Sequence, residues 1–113
     1  MNNLERLKLE LSNKEYYTDK EYEVFLEENN LDSNGTYSKQ DNQINLLETV
    51  VNILETLSND IDLMRKIDSK DITSIDQASK YLNTRIYNIN KKILDLKEAE
   101  EIVEGNIRPI FFN

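Results

Sequence analysis

Apolar residues recur in steps of three and four along two long stretches of the chain, a spacing that places one apolar stripe along a helix. The first stripe predicts a helix over about residues 41–66, with an irregularity at Ser58-Asn59-Asp60. The second predicts a helix over residues 74–104, and the two stripes should meet in a coiled-coil-like seam. The members of the seam are Leu47, Val50, Leu54, Leu57, Ile61 and Met64 in the first helix, and Ile75, Ala78, Leu82, Ile86, Ile89, Ile93 and Leu96 in the second.

Two shorter helices are predicted before these. Leu4, Leu7 and Leu11 give one apolar face over residues 3–11. Thr18-Asp-Lys-Glu21 has the form of a capping box and should begin a second helix, whose apolar face is Tyr22, Phe25 and Leu26. That helix should end near Asn29-Asn30, because asparagine tolerates the left-handed conformation of a helix stop.

Turn and cap signals divide the rest of the chain. Asn34-Gly35 predicts a turn within a loop over residues 31–38. Ser38 should cap the first long helix, and Thr73-Ser-Ile-Asp76 has capping-box form at the start of the second. Gly105 should end that helix, and Pro109 should prevent its resumption. At about 1.5 Å per residue the last helix is longer than a core of this size, so we expect the part from Ile93 onward to project.

These elements predict an all-α fold: a small helical bundle of about four helices, two short and two long, with an extended C-terminal tail. The chain of 113 residues has 38% hydrophobic content, enough for one modest core. We therefore predict a bundle domain over residues 1–104 and a partner-docking tail over residues 105–113.

Composition excludes several kinds of chemistry. The chain contains neither cysteine nor histidine, which removes disulfides, thiolate metal sites and the commonest general base near neutral pH. We therefore expect no enzyme, no cofactor and no metal site. We see neither a signal segment nor an apolar run that could span a membrane, so a soluble protein of a reducing compartment is expected.

The net charge of −8 is unevenly distributed, since residues 1–60 hold 13 acidic and 5 basic side chains, whereas residues 61–113 hold 9 of each. An acidic first half disfavours specific nucleic-acid binding.

Two candidate constellations invite a metal or acid–base interpretation. The loop from Asn30 to Asp41 echoes a calcium-binding EF-hand loop, with oxygen-bearing residues and Gly35 at the required positions. Asn30 and Asp41 depart from that pattern, and the alternative is an Asn-Gly turn followed by a helix cap. The glutamate clusters, such as Glu98, Glu100 and Glu101, fit a solvated helix face better than a di-metal site because no Glu-x-x-His motif accompanies them.

Two further features point to protein partners. Tyr81 and Tyr87 lie off the apolar stripe, where a large ring with a polar tip suits a subunit interface. The C-terminal tail places three large apolar side chains after a predicted helix stop, which suits an anchor in a partner's groove or sheet edge. We predict that the docking residues are Ile107, Arg108, Pro109, Ile110, Phe111 and Phe112.

Three segments resemble the head-tail connector proteins (adaptor or head-completion proteins) of long-tailed phages and prophages of Gram-positive bacteria. They are Leu4-Glu-Arg-Leu-Lys-Leu-Glu-Leu-Ser12, Tyr16-Tyr-Thr-Asp-Lys-Glu-Tyr22 and Leu26-Glu-Glu-Asn-Asn-Leu-Asp32. The order of short helix, helix, long helix, long helix and extended tail is similar to that family across nearly the whole chain.

The resemblance implies a virion protein, made in the bacterial host cytoplasm, that sits in the neck between capsid and tail. Such proteins form a ring, commonly of twelve copies, beneath the portal protein. They extend the DNA channel, which DNA passes without being specifically bound, and offer a surface to stopper or tail-completion proteins. The portal clasp would fall on residues 107–112. The alternative is a small cytosolic helical interaction module or regulator that binds one partner through the same tail.

Overall fold

A computed structural model describes residues 1–64 and 74–107 of the chain; at positions 61, 63 and 102–107 it describes the backbone alone. The predicted all-α bundle is confirmed. The helices are α1 (Asn3–Glu10), α2 (Asp19–Glu28), α3 (Lys39–Ser58), the single turn α4 (Ile61–Met64) and α5 (Ile75–Ile107).

Helix α3 lies at the centre of the bundle, with α1 and α2 packed on it and α5 packed along it. The predicted seam forms the core. Val50, Leu54 and Leu57 of α3 are fully buried against Ala78, Leu82 and Ile89 of α5. Leu46 and Ile53 are also fully buried, so α3 is covered on more than one side. Burial of each such side chain stabilises the fold by about 1.5–3 kcal/mol.

The predicted caps of α2 and α3 are confirmed, whereas α5 is capped one residue later than the box predicted at Thr73 to Asp76. Thr18 and Glu21 form a reciprocal capping box at α2, and the Ser38 hydroxyl accepts from the backbone N–H of Asp41 at α3. At α5 the hydroxyl of Ser74 accepts from the N–H of Gln77. Thr73, the predicted first member of that box, lies outside the described residues.

The predicted stop of α2 at the two asparagines is also confirmed. Asn30 has φ of 62°, and the N–H groups of Asn30 and Leu31 donate to the carbonyls of Glu27 and Leu26. This is a Schellman motif, which satisfies carbonyls that the helix end leaves without partners. The side chain of Leu31 is buried over the same turn.

Helix α3 ends earlier than predicted. The irregularity expected at Ser58-Asn59-Asp60 is a complete end, with Asn59 as the C-cap and α4 starting at Ile61.

Two predictions about the last helix are wrong. Gly105 does not end α5, which continues to Ile107. Glycine costs about 1 kcal/mol in a helix interior but does not forbid it. Nor does the helix leave the body at Ile93, because that side chain is only 7% exposed and Leu96 packs against the core behind it. The apolar repeat of α5 continues beyond Ile89 to Ile93 and Leu96.

The loop before α3 holds the N-terminal segment in place. The backbone N–H groups of Asn3 and Leu4 donate to the carbonyls of Gly35 and Ser33, and Asn2 and Thr36 form an isolated antiparallel bridge. A Cβ at Gly35 would lie 3.3 Å from the Asp32 carbonyl oxygen, a tight contact within the loop, and 3.5 Å from Asn3 Nδ2, an ordinary van der Waals distance.

Candidate functional site

The described residues contain a groove of about 650 Å³ between α1, α3 and α5, which we call the basic groove. Its floor is apolar, formed by Leu46 and Leu47 of α3 and Ile89 of α5. Its rim carries four cationic side chains and one carboxylate, that of Glu10. This concentration of positive charge is unusual in a chain of net charge −8. The cations are Arg6, Lys80, Arg85 and Lys92.

Glu10 forms ion pairs with both arginines. Its carboxylate lies 3.0 Å from Arg6 Nη1 and 3.7 Å from Arg85 Nη2. Arg85 Nη2 also donates to the backbone carbonyl of Glu10 at 2.6 Å. A cation at the last carbonyls of a helix is favourable, so Arg85 ties α5 to the C-terminal end of α1 and fixes the width of the groove there.

The two lysines differ from the arginines. Lys80 and Lys92 are exposed and have no ion-pair or hydrogen-bond partner among the residues that the structure describes. They lie twelve positions apart on α5, which corresponds to about 18 Å along the helix. The groove therefore offers an incoming group two unneutralised charges, one toward each end.

Aromatic rings complete the rim. The Arg6 guanidinium carbon lies 5.4 Å from the centroid of the Tyr37 ring, a cation–π geometry. Tyr81, one of the two predicted interface tyrosines, lines the groove and is 42% exposed. Its hydroxyl oxygen lies 3.5 Å from Arg85 Nη1. An exposed ring beside an arginine is the composition that protein interfaces favour.

The other predicted interface residues lie elsewhere. Tyr87 is 66% exposed on a different face of α5 and shares that face with Leu94, seven positions on and also exposed. Tyr81 and Tyr87 therefore do not form one surface. Of the predicted docking tail, Ile107 is the last residue of α5, and its side chain and residues 108–112 lie outside what the structure describes.

The loop that echoed a calcium site forms a turn followed by a helix cap. Asp32 Oδ1 accepts from the N–H of Asn34, the Asp32 carbonyl accepts from Gly35, and Ser38 caps α3. Among the described residues no three acidic side chains converge on a possible metal position. The side-chain oxygens of Asp32 and Ser38, two of the proposed ligands, are thus engaged in local backbone structure.

Tyrosines near the base of α2 are held in apolar surroundings rather than at a reactive site. The Tyr22 hydroxyl donates to the carbonyl of Lys14 and accepts from the N–H of Tyr16. Burial raises the pKa of Tyr22, and it raises the pKa of Tyr16 to about 12. Both stay protonated near neutral pH, which suits a structural role.

The basic groove was not predicted from the sequence. Its cations come from α1 and three turns of α5, and only the packing of these helices brings them together. The sequence held one indication of it, the shift from an acidic first half to a second half with equal numbers of acidic and basic side chains.

Comparison of the chain with protein-family models, curated proteins and solved structures gives no match. None of the described helices is long and apolar enough to cross a membrane.

Proposed function

We propose that the chain is a structural protein that connects a phage head to its tail, a ring-forming adaptor beneath the portal protein. It would sit in the virion neck, extend the DNA channel and present a surface to stopper or tail-completion proteins. The role is one of assembly rather than catalysis. Its support is the resemblance of the three segments quoted above and the order of helices, short, short, long and long.

The observation that carries the proposal is the length of α5. Lys97 Nζ of α5 forms an ion pair with Glu48 Oε2 of α3 at 3.1 Å, and Ala99 and Glu100 still line a groove with the first turns of α3. The helix continues from there to Ile107, seven residues that span about 10 Å. In the sequence it leads directly into the apolar segment Arg108-Pro-Ile-Phe-Phe-Asn113, the order that a portal clasp on a helical arm would require.

The test removes that segment in a phage or prophage that encodes the chain. A truncation after Ile107 should leave heads that fill with DNA but fail to join tails, because the clasp would be missing. The matched control is Leu94→Ser, which removes an exposed apolar side chain from the same helix. Electron microscopy of the lysates should show joined particles with the control only. Normal joining by the truncated protein would contradict the clasp.

The basic groove favours a second candidate, a small helical interaction module that binds one protein partner. An apolar floor with a charged rim is the usual composition of a recognition groove. The two candidates differ in genomic setting, since a connector gene should lie between capsid and tail genes, whereas a regulator gene need not.

A further inference from the structure

We propose that the basic groove binds helix α2 of a second copy of this chain, in a head-to-tail contact. The inference rests on the proposed function in that it names the surfaces through which copies would meet in a ring. It is carried by charge complementarity between two described surfaces of the same molecule.

The proposed occupant is the exposed face of α2. This helix holds five acidic side chains and one lysine. Glu27 and Glu28 are exposed and, like the half-buried Glu23, have no ion-pair partner among the described residues. Between them lies Val24, whose side chain is 51% exposed. Residues three and four apart share one face of a helix, so Val24 shares its face with Glu27 and Glu28 toward the C-terminal end of α2 and with Lys20 and Glu21 toward the N-terminal end.

This face matches the groove in chemistry. Val24 would meet the apolar floor, while the carboxylates of Glu27 and Glu28, which are adjacent at the C-terminal end of α2, would meet an unpaired lysine of the rim. Lys80 and Lys92 are about 18 Å apart along α5, so the two carboxylates lie at one end of the groove. None of these four charged side chains has an ion-pair partner among the described residues, so pairing them removes like-charge excess from each surface.

A polyphosphate is a poorer occupant of the same groove. Glu10 is paired with both Arg6 and Arg85, and the two cations that have no ion-pair partner among the described residues lie about 18 Å apart. Nucleic-acid affinity depends on neutralising many phosphates, and an apolar floor contributes little to that. The chain's net charge of −8 opposes it further.

The two surfaces lie on different parts of the molecule. Helix α2 packs against α1 and α3, whereas α5 packs against α3 and α4. A contact between unlike surfaces is heterologous, and it leaves one groove and one α2 unfilled at the ends of any open chain of copies. Such contacts close into a ring when the rotation between copies permits it.

Reciprocal charge reversal tests this contact in the full-length chain. One variant is Lys80→Glu with Lys92→Glu, and the other is Glu27→Lys with Glu28→Lys. Sedimentation velocity at low salt should show each variant alone associating at least about tenfold more weakly than the parent, because like charges then face each other. An equimolar mixture should regain association, since each reversed surface then meets its opposite.

The matched control is Lys39→Glu with Lys91→Glu, which changes the net charge as much as the groove variant without altering the groove rim. It should associate as the parent does. A zero-length lysine–carboxylate cross-linker applied to a mixture of light and isotope-labelled chains should join Lys80 or Lys92 of one copy to Glu27 or Glu28 of another. Circular dichroism melts should confirm that all variants remain folded.

Three results would overturn the contact: a parent that stays monomeric at low salt and high concentration, variants that associate as well as the parent, or a mixture that does not recover. None of these results bears on head–tail joining, which the tail truncation measures separately. A protein that joins heads to tails but self-associates through other surfaces would disprove this interface and leave the proposed function standing.

Discussion

Single side chains in the region between α1 and α2 show how the fold satisfies its polar groups. The connection between α1 and α2 has no regular structure, and the hydroxyl of Tyr22 hydrogen-bonds to its backbone groups. It donates to the carbonyl of Lys14 at 2.9 Å and accepts from the N–H of Tyr16 at 3.1 Å. The neighbouring hydroxyl of Tyr17 is buried and has no hydrogen-bond partner among the described residues. The hydroxyl groups of the two tyrosines therefore make opposite contributions to the free energy of unfolding.

The pair of substitutions Tyr22→Phe and Tyr17→Phe tests this difference. Tyr22→Phe should lower the free energy of unfolding by about 1–3 kcal/mol, because it leaves a buried carbonyl and a buried N–H without partners. Tyr17→Phe should be neutral or stabilising by up to about 1 kcal/mol, since it removes a desolvated hydroxyl that gains nothing in return. Chemical denaturation of both variants measures the difference, and equal losses would contradict the assigned hydrogen bonds.

The helices illustrate what a single sequence can and cannot predict. Helix caps and the spacing of apolar residues depend on neighbouring positions in the sequence. The capping box at Thr18, the stop at Asn30 and the seam between the long helices could therefore all be predicted. A further capping box, formed by Asn2 and Glu5, was missed although its spacing was readable. Pairing of the N-terminal segment with residues 33–37 could not be predicted, because it joins backbone groups about 30 positions apart.

The end of α5 shows the limit of local signals. Glycine and proline are strong helix stops on average, yet Gly105 lies inside the helix. Its cost in a helix is small enough for the residues on either side to outweigh it. Likewise, the length over which α5 packs on α3 depends on both helices. The spacing of apolar residues in α5 alone does not determine it.

Substitutions at two adjacent positions test where that packing ends. Ile93→Asp should destabilise the protein by several kcal/mol, because Ile93 is only 7% exposed and the carboxylate would have no partner there. Leu94→Asp should change stability by less than about 0.5 kcal/mol, since that side chain is 56% exposed. Thermal melts should separate the two variants clearly; similar melting temperatures would mean that α5 does not pack on α3 at Ile93.

At the scale of the whole molecule, acidic and basic side chains lie on different surfaces. The acidic face of α2 and the cationic rim of the basic groove are carried by different helices, and each holds charged side chains that have no ion-pair partner among the described residues. A candidate site of this kind depends on tertiary packing, so only its aromatic member Tyr81 could be singled out beforehand. The fold was largely predictable from the sequence, whereas the groove was not.

The long last helix and the acidic and basic surfaces of the bundle are the features on which the proposed assembly role rests. Under that proposal, α5 would lead to the segment that docks on a partner, and the groove and α2 would offer surfaces for adjacent copies.

The central claim, that the chain joins phage heads to tails, is tested most directly by deleting its gene from the phage or prophage that encodes it. Electron microscopy of the induced lysate should then show DNA-filled heads beside unattached tails. Joined particles should return when the full-length chain is supplied in trans. Joined, infectious particles in the absence of the gene would contradict the claim.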